Sequence, residues 1–488
     1  MGLLQIGVSI LAALLVGALT RGAARTYLLL ALSVLAVYWF QPLLPLRSFD
    51  FWLPSLSLAL VILVWFLTSQ TDAWLARQNV YGLLTILGMV TIIDLTRYIF
   101  PDPLLTATLP PRFGIFLIFV VALAIAILLI TRISRAYKWI LSIAIILLLT
   151  ILLILKSPTL SLQTSIFIRE LTNRSAENAS PSDLRWLGFS YIAFRLIHVL
   201  RDKSRMPQST LSSSVRDKQT GRLPELSLPE FATYVVFFPS LSAGPIDRAE
   251  RFVQDLRKDF ALTQDETLLA GQRLVIGLFK KFVVADALAL IALNDALATQ
   301  VRTTGWMWII LYAYTFQIYF DFSGYTDIAL GIARLVGIKL PENFAAPYTK
   351  PNLTQFWNNW HMTLTQWFRS YFFNPFNRWI RGYKNIPAWI MILIGQLATM
   401  LLIGLWHGVT INFILWGAWH GLGLFLQNRW SDFVRVRFPN LQQNARLQSA
   451  LQFGGILLTF HFVALGWVLF ALSEPFLSRL VFMKLFGL

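Results

Sequence analysis

Long apolar runs separated by short basic loops dominate the first third of the chain. Runs of about 17 to 23 residues match the length a helix needs to cross a bilayer. They fall at Leu3–Leu19, Tyr27–Leu46, Phe51–Thr68, Tyr81–Thr96, Phe113–Thr131 and Trp139–Leu155. Arg21 and Arg25 follow the first run, and Arg132, Arg135 and Lys138 follow the fifth. Placing those loops in the cytoplasm puts the N-terminus outside and keeps the alternation consistent through the sixth span. No basic stretch precedes Leu3–Leu19, so it reads as a retained helix rather than a cleaved signal peptide. Asp94 is the main polar exception in these spans, and its place near a span end reads as interfacial. From Lys156 to Ser182 the chain turns polar, a loop with a helix start at Ser182 or Asp183. Asn173-Arg174-Ser175 matches a glycosylation sequon and reads as a chance match.

The second part of the chain is patterned differently. Trp186–Leu200 is apolar but holds Arg195 and His198, and the basic stretch Arg201–Leu226 reads as a cytoplasmic loop. Phe231–Ile246 is apolar yet carries Pro239, Gly244 and Pro245, with Arg222 on one side and Arg248, Arg251, Arg257 and Lys258 on the other. Two basic flanks do not fit a simple span. Pro239 also removes a donor and clashes one turn back, at Val235. The pattern predicts a re-entrant or broken helix whose freed carbonyls find partners in protein or a wet cavity. Leu274–Leu293 is interrupted by Lys280 and Lys281, and Trp306–Val336 encloses Asp321 and Asp327. Lys339–Lys384 is polar, aromatic and basic. Ile386–Leu405 and Ile411–Leu426 meet at a tight Trp406-His407-Gly408 junction, and a basic loop with Arg429, Arg435, Arg437 and Arg446 precedes a last span, Leu451–Leu472.

Composition narrows the class. Of 488 residues, 56% are hydrophobic and only 13% charged, against about 25% charged in a soluble domain. The strand-like alternation of an outer-membrane barrel is absent. The expected fold is an all-α polytopic bundle of roughly 11–13 spans, with re-entrant or broken helices around a central tunnel. The formal charge of +17 reads as positive-inside topology and attraction to anionic lipid, with no nucleic acid partner. The chain has no cysteine, which removes disulfides, thiolate nucleophiles and thiolate metal sites.

Five histidines carry the candidate chemistry: His198, His361, His407, His420 and His461. Ionisable groups at membrane depth are costly, so each is a functional candidate. His361 lies in a stretch whose aromatics at 356, 360, 367 and 371 recur at near-helical spacing, and His361, Thr365 and Arg369 would share one helical face. An interfacial helix with an aromatic belt would look the same. His407 sits at a glycine-flanked helix break, where a packing histidine bonded to a carbonyl is the bland alternative. His420 is expected to make an interhelical hydrogen bond, and His198 and His461 read as structural. No carboxylate or further histidine stands at ligand spacing around His361 or His407, so no metal is expected there.

These residues form an ordered set of motifs. They are Phe237-Phe238-Pro239-Ser240-Leu241-Ser242-Ala243-Gly244-Pro245-Ile246, Asp321-Phe322-Ser323-Gly324-Tyr325-Thr326-Asp327, Leu340-Pro341-Glu342-Asn343-Phe344, the Phe356–Tyr371 stretch, and Gly404-Leu405-Trp406-His407-Gly408 followed by Trp416-Gly417. In this order, over about residues 185 to 470, the chain resembles the membrane-bound O-acyltransferase family, in the bacterial branch that includes alginate O-acetyltransferases and teichoic-acid D-alanyl transferases. The resemblance implies an organisation of N-terminal helices (1–180), a catalytic core (181–475) and a short apolar tail (476–488). It implies that His407 is the catalytic base and His361 the second polar group of a membrane tunnel. Trp360, Arg369, Pro239 and Asp321 are then expected along the substrate channel, and Arg248 and Arg251 at a donor-side rim. A neutral imidazole in a dry tunnel can take the proton of a hydroxyl as it attacks a thioester.

The function so implied is transfer of a small acyl group, acetyl in the first instance, from a cytoplasmic thioester to a cell-surface polysaccharide or a partner protein. The co-substrate is acetyl-CoA or an acyl carrier protein, with no bound cofactor. The expected partners are membrane lipid and an extracytoplasmic acyltransferase. D-Alanyl transfer from a carrier protein to a teichoic-acid-like polymer is the alternative. A proton-coupled transporter is a distant third, since it explains the deep Asp321, Asp327, His361 and His407 but not the motif order. The setting is the cell membrane of a bacterium, multi-pass.

Overall fold

A computed structural model describes residues 2–137, 139–204, 225–383, 385–438 and 445–488. Most of the basic segment Arg201–Leu226 therefore lies outside the described residues, as do Lys138, Lys384 and residues 439–444. The described residues are helical with irregular connections and contain no strand. Seven helices are long and apolar enough to cross a membrane, and a shorter apolar helix, α1 (Leu3–Leu19), precedes them. The chain is a polytopic all-α membrane protein. It divides into two compact units, residues 1–273 with 329–341, and residues 274–328 with 342–488.

In the first unit the apolar runs become α2 (Gly22–Trp39), α3 (Phe49–Thr68), α4 (Arg77–Ile99), α5 (Phe113–Ala136) and α6 (Trp139–Lys156). The outermost in character is α5, with only 11% of its most apolar stretch buried. Its Ile115, Leu117, Ile118 and Val121 are exposed, as expected of side chains that meet lipid. The polar loop expected after α6 is instead a helix, α7 (Pro158–Leu171), capped by Ser157. Its polar face is the reason it escaped notice. Ser165 and Arg169 both donate to Asp183 Oδ2, at 2.6 and 2.7 Å, and pin the helix to the turn Pro181–Leu184. Arg25, read as a loop charge, is fully buried in α2. It donates to the carbonyls of Asp255, Leu256 and Lys258 at the end of α10 (Ala249–Arg257), satisfying acceptors a helix leaves open.

The proline-broken segment takes the form the sequence requires. The helix α9 (Leu228–Val236) is nine residues long, too short to span, and Pro239 lies in a single tight turn, Phe238–Ser240. The freed carbonyls go to Arg195 of α8 (Phe189–Ser204), which is 1% exposed. Its guanidinium donates to Val235 O at 2.8 Å, to Ser240 O at 3.0 Å and to Ser240 Oγ at 2.7 Å. The helix α11 (Gln264–Leu278) closes this unit and runs on into the second.

In the second unit the chain after α11 widens into a π-turn, Phe279–Ala285, which carries Lys280 and Lys281. These pair with Asp327 and Asp321 of the long helix α13 (Thr304–Leu335). A short helix, α12 (Asp295–Gln300), lies between. The aromatic stretch forms three short helices, α14 (Leu353–Asn359), α15 (Met362–Phe368) and α16 (Asn374–Ile380). The tight hairpin is α17 (Ala388–His407) with α18 (Ile411–Arg437). Here Arg429, Arg435 and Arg437 are helical, not in a loop. A Cβ on Gly404 would lie 2.3 Å from Phe413 O, and one on Gly417 2.6 Å from Met400 O. Only glycine permits that approach. The last span α19 (Ala445–Ala471) and α20 (Pro475–Leu485) complete the unit, tied to the start of α18 by Asn412, which donates to Leu472 O at 2.8 Å.

Candidate active site

His361 does not lie within one continuous helix. The helix α14 stops at Asn359, and His361 takes φ 41° and ψ 54° as the residue before α15. A β-carbon is strained in that left-handed region, by on the order of 1–2 kcal/mol. Asn343, fully buried, holds the turn. Its carbonyl accepts from Met362 N at 3.0 Å. Its side-chain Oδ1 accepts from Thr363 Oγ1 at 2.7 Å and from Thr363 N at 3.3 Å. The break rotates the imidazole inward: His361 is 3% exposed, its ring edge-on to Phe322 with centroids 4.7 Å apart. Neither ring nitrogen has a hydrogen-bond partner among the described residues.

His407 ends α17, as the glycine-flanked junction predicts, and Gly408 N donates to Gly404 O at 3.2 Å. Its ring packs against Trp406, Trp416 and Phe470, with centroids 4.6, 5.5 and 4.8 Å away. Trp406 also reaches His361, at 6.2 Å. His361 and His407 line one cavity of about 40 Å³, together with Phe322, Trp357, Trp360, Trp416 and others. That volume holds one or two small groups of water size. Thr365, one turn beyond His361, lines it too.

Of the expected residues in this unit, Trp360 lines the cavity, and Arg369 and Asp321 are not among its lining residues. Arg369 is exposed and donates to Asn358 Oδ1 at 2.5 Å. Asp321 is half exposed and paired with Lys281, while its neighbour Phe322 faces the cavity. Pro239, Arg248 and Arg251 belong to the first unit. Arg248 is exposed. Arg251 is occupied by Asp247, by Asp255 at 3.2 Å and by the Lys339 carbonyl. His420 makes no interhelical hydrogen bond among the described residues; it is buried against Trp357 and Trp416, at 5.0 and 4.9 Å. Asn343, Trp406 and Trp416 were in quoted motifs without an assigned role. A short polar residue after Pro-Glu was the signal for the first, since a buried Asn must bond to backbone.

Two imidazoles thus share a small aromatic chamber of a polytopic membrane protein. Residues 114–471 match MBOAT, the membrane-bound O-acyltransferase family. The chain belongs to that family and is an O-acyltransferase. It is 33% identical over 300 residues to the teichoic acid D-alanyltransferase of Bacillus subtilis (strain 168), covering 60% of this chain and 70% of that one. It is 36% identical over 248 residues to a "Probable alginate O-acetylase" of Pseudomonas syringae pv. tomato, covering 50% and 43%. It is 31% identical over 303 residues to the peptidoglycan O-acetyltransferase of Helicobacter pylori, covering 58% and 53%. The chain thus spans about half the length of the last two relatives.

Proposed function

We propose that the protein transfers a small acyl group, acetyl in the first instance, from a cytoplasmic thioester to a hydroxyl of a cell-surface polysaccharide or of a partner acyltransferase. One observation carries the reading: His361 and His407 line the same small aromatic cavity. In the proposed step His407 removes the acceptor hydroxyl proton as the new C–O bond forms at the acyl carbonyl. The C–S bond then breaks, and the same proton passes to the leaving thiolate. His361, with both nitrogens buried and without a hydrogen-bond partner among the described residues, donates to the carbonyl oxygen as it gains charge. The donor is acetyl-CoA or an acyl carrier protein. The N-terminus lies outside, with the basic segments 201–226 and 429–446 in the cytoplasm.

The coverage of 70% of the Bacillus subtilis D-alanyltransferase favours a second reading, D-alanyl transfer from a carrier protein to a teichoic-acid-like polymer. Purified protein in detergent, offered acetyl-CoA or a D-alanyl carrier in turn, separates the two. His407→Ala lowers turnover of the accepted donor by at least ~10²-fold, the scale of a lost general base, and His420→Ala by less. Near-wild-type transfer by folded His407→Ala protein would remove His407 from the reaction.

A further inference from the structure

In the second unit, the end of the last span opens into a groove beside α20. The apolar stretch Leu451–Leu472 is about 33 Å long at 1.5 Å per residue, close to the ~30 Å hydrocarbon thickness. The polar Ser473-Glu474 and then Pro475 end it, so α20 starts at the headgroup boundary. One face of α20 is fixed in place. Val481 and Leu485 are buried with Met307, Leu311 and Val468, and Lys484 donates to the carbonyls of Ala298, Thr299 and Val301. A different stripe, Arg479, Phe482, Met483 and Phe486, recurs at three- and four-residue spacing. With Leu415 near the start of α18 and Leu469 near the end of α19, it walls a groove of about 360 Å³.

That volume is within the range of ligand sites, roughly 300–1,000 Å³. The lining is apolar apart from Ser478 and Arg479. Ser478 is buried and its Oγ accepts from Asn412 Nδ2 at 3.2 Å. Arg479 is exposed, and its guanidinium makes no ion pair or hydrogen bond with a described residue, Glu474 included. An acyl chain gains little by leaving the bilayer for such a groove, because lipid tails are as apolar as the side chains that wall it. Shape alone would therefore not choose one lipid over another. A guanidinium at the headgroup boundary does choose, since its planar fork matches a phosphate with two parallel hydrogen bonds.

We propose that this groove holds one acyl chain of an anionic phospholipid, with the lipid phosphate on Arg479. The apolar wall sets where the chain lies, and the single cation sets which headgroup is kept. The two cations of α20 thus divide their tasks: Lys484 ties the helix to its own unit, and Arg479 faces outward to the membrane. The site does not depend on the reaction at His407.

The test is native mass spectrometry of the delipidated full-length protein in detergent, offered dioleoyl phosphatidylglycerol or dioleoyl phosphatidylcholine. The wild type is expected to retain one phosphatidylglycerol, and phosphatidylcholine about fivefold less well, the scale of one basic side chain facing an anionic lipid. Arg479→Gln should erase the preference, and Arg479→Lys should keep most of it. Met483→Trp should fill the groove and weaken retention of both lipids. Both positions are exposed, so the variants should fold, and monodisperse elution checks this. Equal retention of the two lipids by the wild type, an unchanged preference in Arg479→Gln, or wild-type retention by Met483→Trp overturns the proposal. A dimer in light scattering that Met483→Trp dissociates would assign the groove to a second copy of the chain and overturns it too.

Discussion

Asn343→Ala tests whether the histidine site depends on a strained turn. Asn343 is not among the residues lining the cavity; it holds the backbone that presents His361. The substitution keeps the main-chain bond from Met362 N and removes both bonds to Thr363. Two buried hydrogen bonds at ~1 kcal/mol each give a loss of about 2 kcal/mol. Holding His361 left-handed costs on the order of 1–2 kcal/mol. The loss therefore equals the strain it restrains, and the turn should relax toward ordinary helical or extended geometry. A misplacement of roughly 1 Å at a catalytic group costs about 10²-fold. Turnover is expected to fall ten- to a hundredfold, with KM for the donor nearly unchanged. Thr363→Val removes the hydroxyl bond alone and should give about half the free-energy effect. The double variant should cost less than the two single effects added, because both act on one turn. The assay is thioester turnover in detergent beside a thermal unfolding curve. Wild-type turnover in a stable Asn343→Ala protein, or strict additivity in the cycle, would refute the reasoning.

Three further outcomes follow from the same geometry. His361→Gly and His361→Ala should both lose turnover, but the glycine variant should be the more stable to heat by about 1 kcal/mol, since glycine relieves the left-handed strain; equal unfolding midpoints would argue that the turn is unstrained. Gly417→Val should abolish a properly folded hairpin, because its Cβ would meet Met400 O at 2.6 Å, whereas Gly454→Val, with nothing within 4 Å, should be tolerated; yield and elution profile decide. Single cysteines at Ser212 and Gln442, in a chain with no native cysteine, should resist an impermeant thiol reagent in intact cells, and fast labelling at both would reverse the proposed topology.

The apolar helices were legible because hydropathy reports depth directly. Leu3–Leu19 is a helix over those same residues, and Phe113 and Trp139 open their helices as the pattern indicates. Pairing was not legible, because it depends on residues far apart in sequence. Pro239 announced a break and freed carbonyls, but nothing local pointed to Arg195, more than forty positions earlier. Asp321, expected along the channel, pairs with Lys281, and Asp327 pairs with Lys280. There the spacing of two lysines in an apolar run was the available clue. The aromatic stretch misled in another way. Its residues keep helical spacing on either side of Trp360-His361, while the break itself is set by Asn343, a residue outside the stretch.

That break has a consequence for how charge is handled in the site. The described residues lining the cavity include no Asp, Glu, Lys or Arg. An imidazolium formed there would meet no carboxylate in the cavity lining, and an isolated buried charge costs several kcal/mol. A mechanism that leaves a proton on His407 after each turnover would meet that cost every time. The proposed transfer does not, because the proton taken from the acceptor hydroxyl leaves with the departing thiol, and the cavity returns to neutrality within the same event. The lysine–aspartate pairs on α13 and the π-turn, and the carbonyls around Arg195, show how this chain treats permanent charge: it gives each a partner. The two imidazoles that line the cavity among aromatic rings are ionisable groups of the kind retained at membrane depth for function.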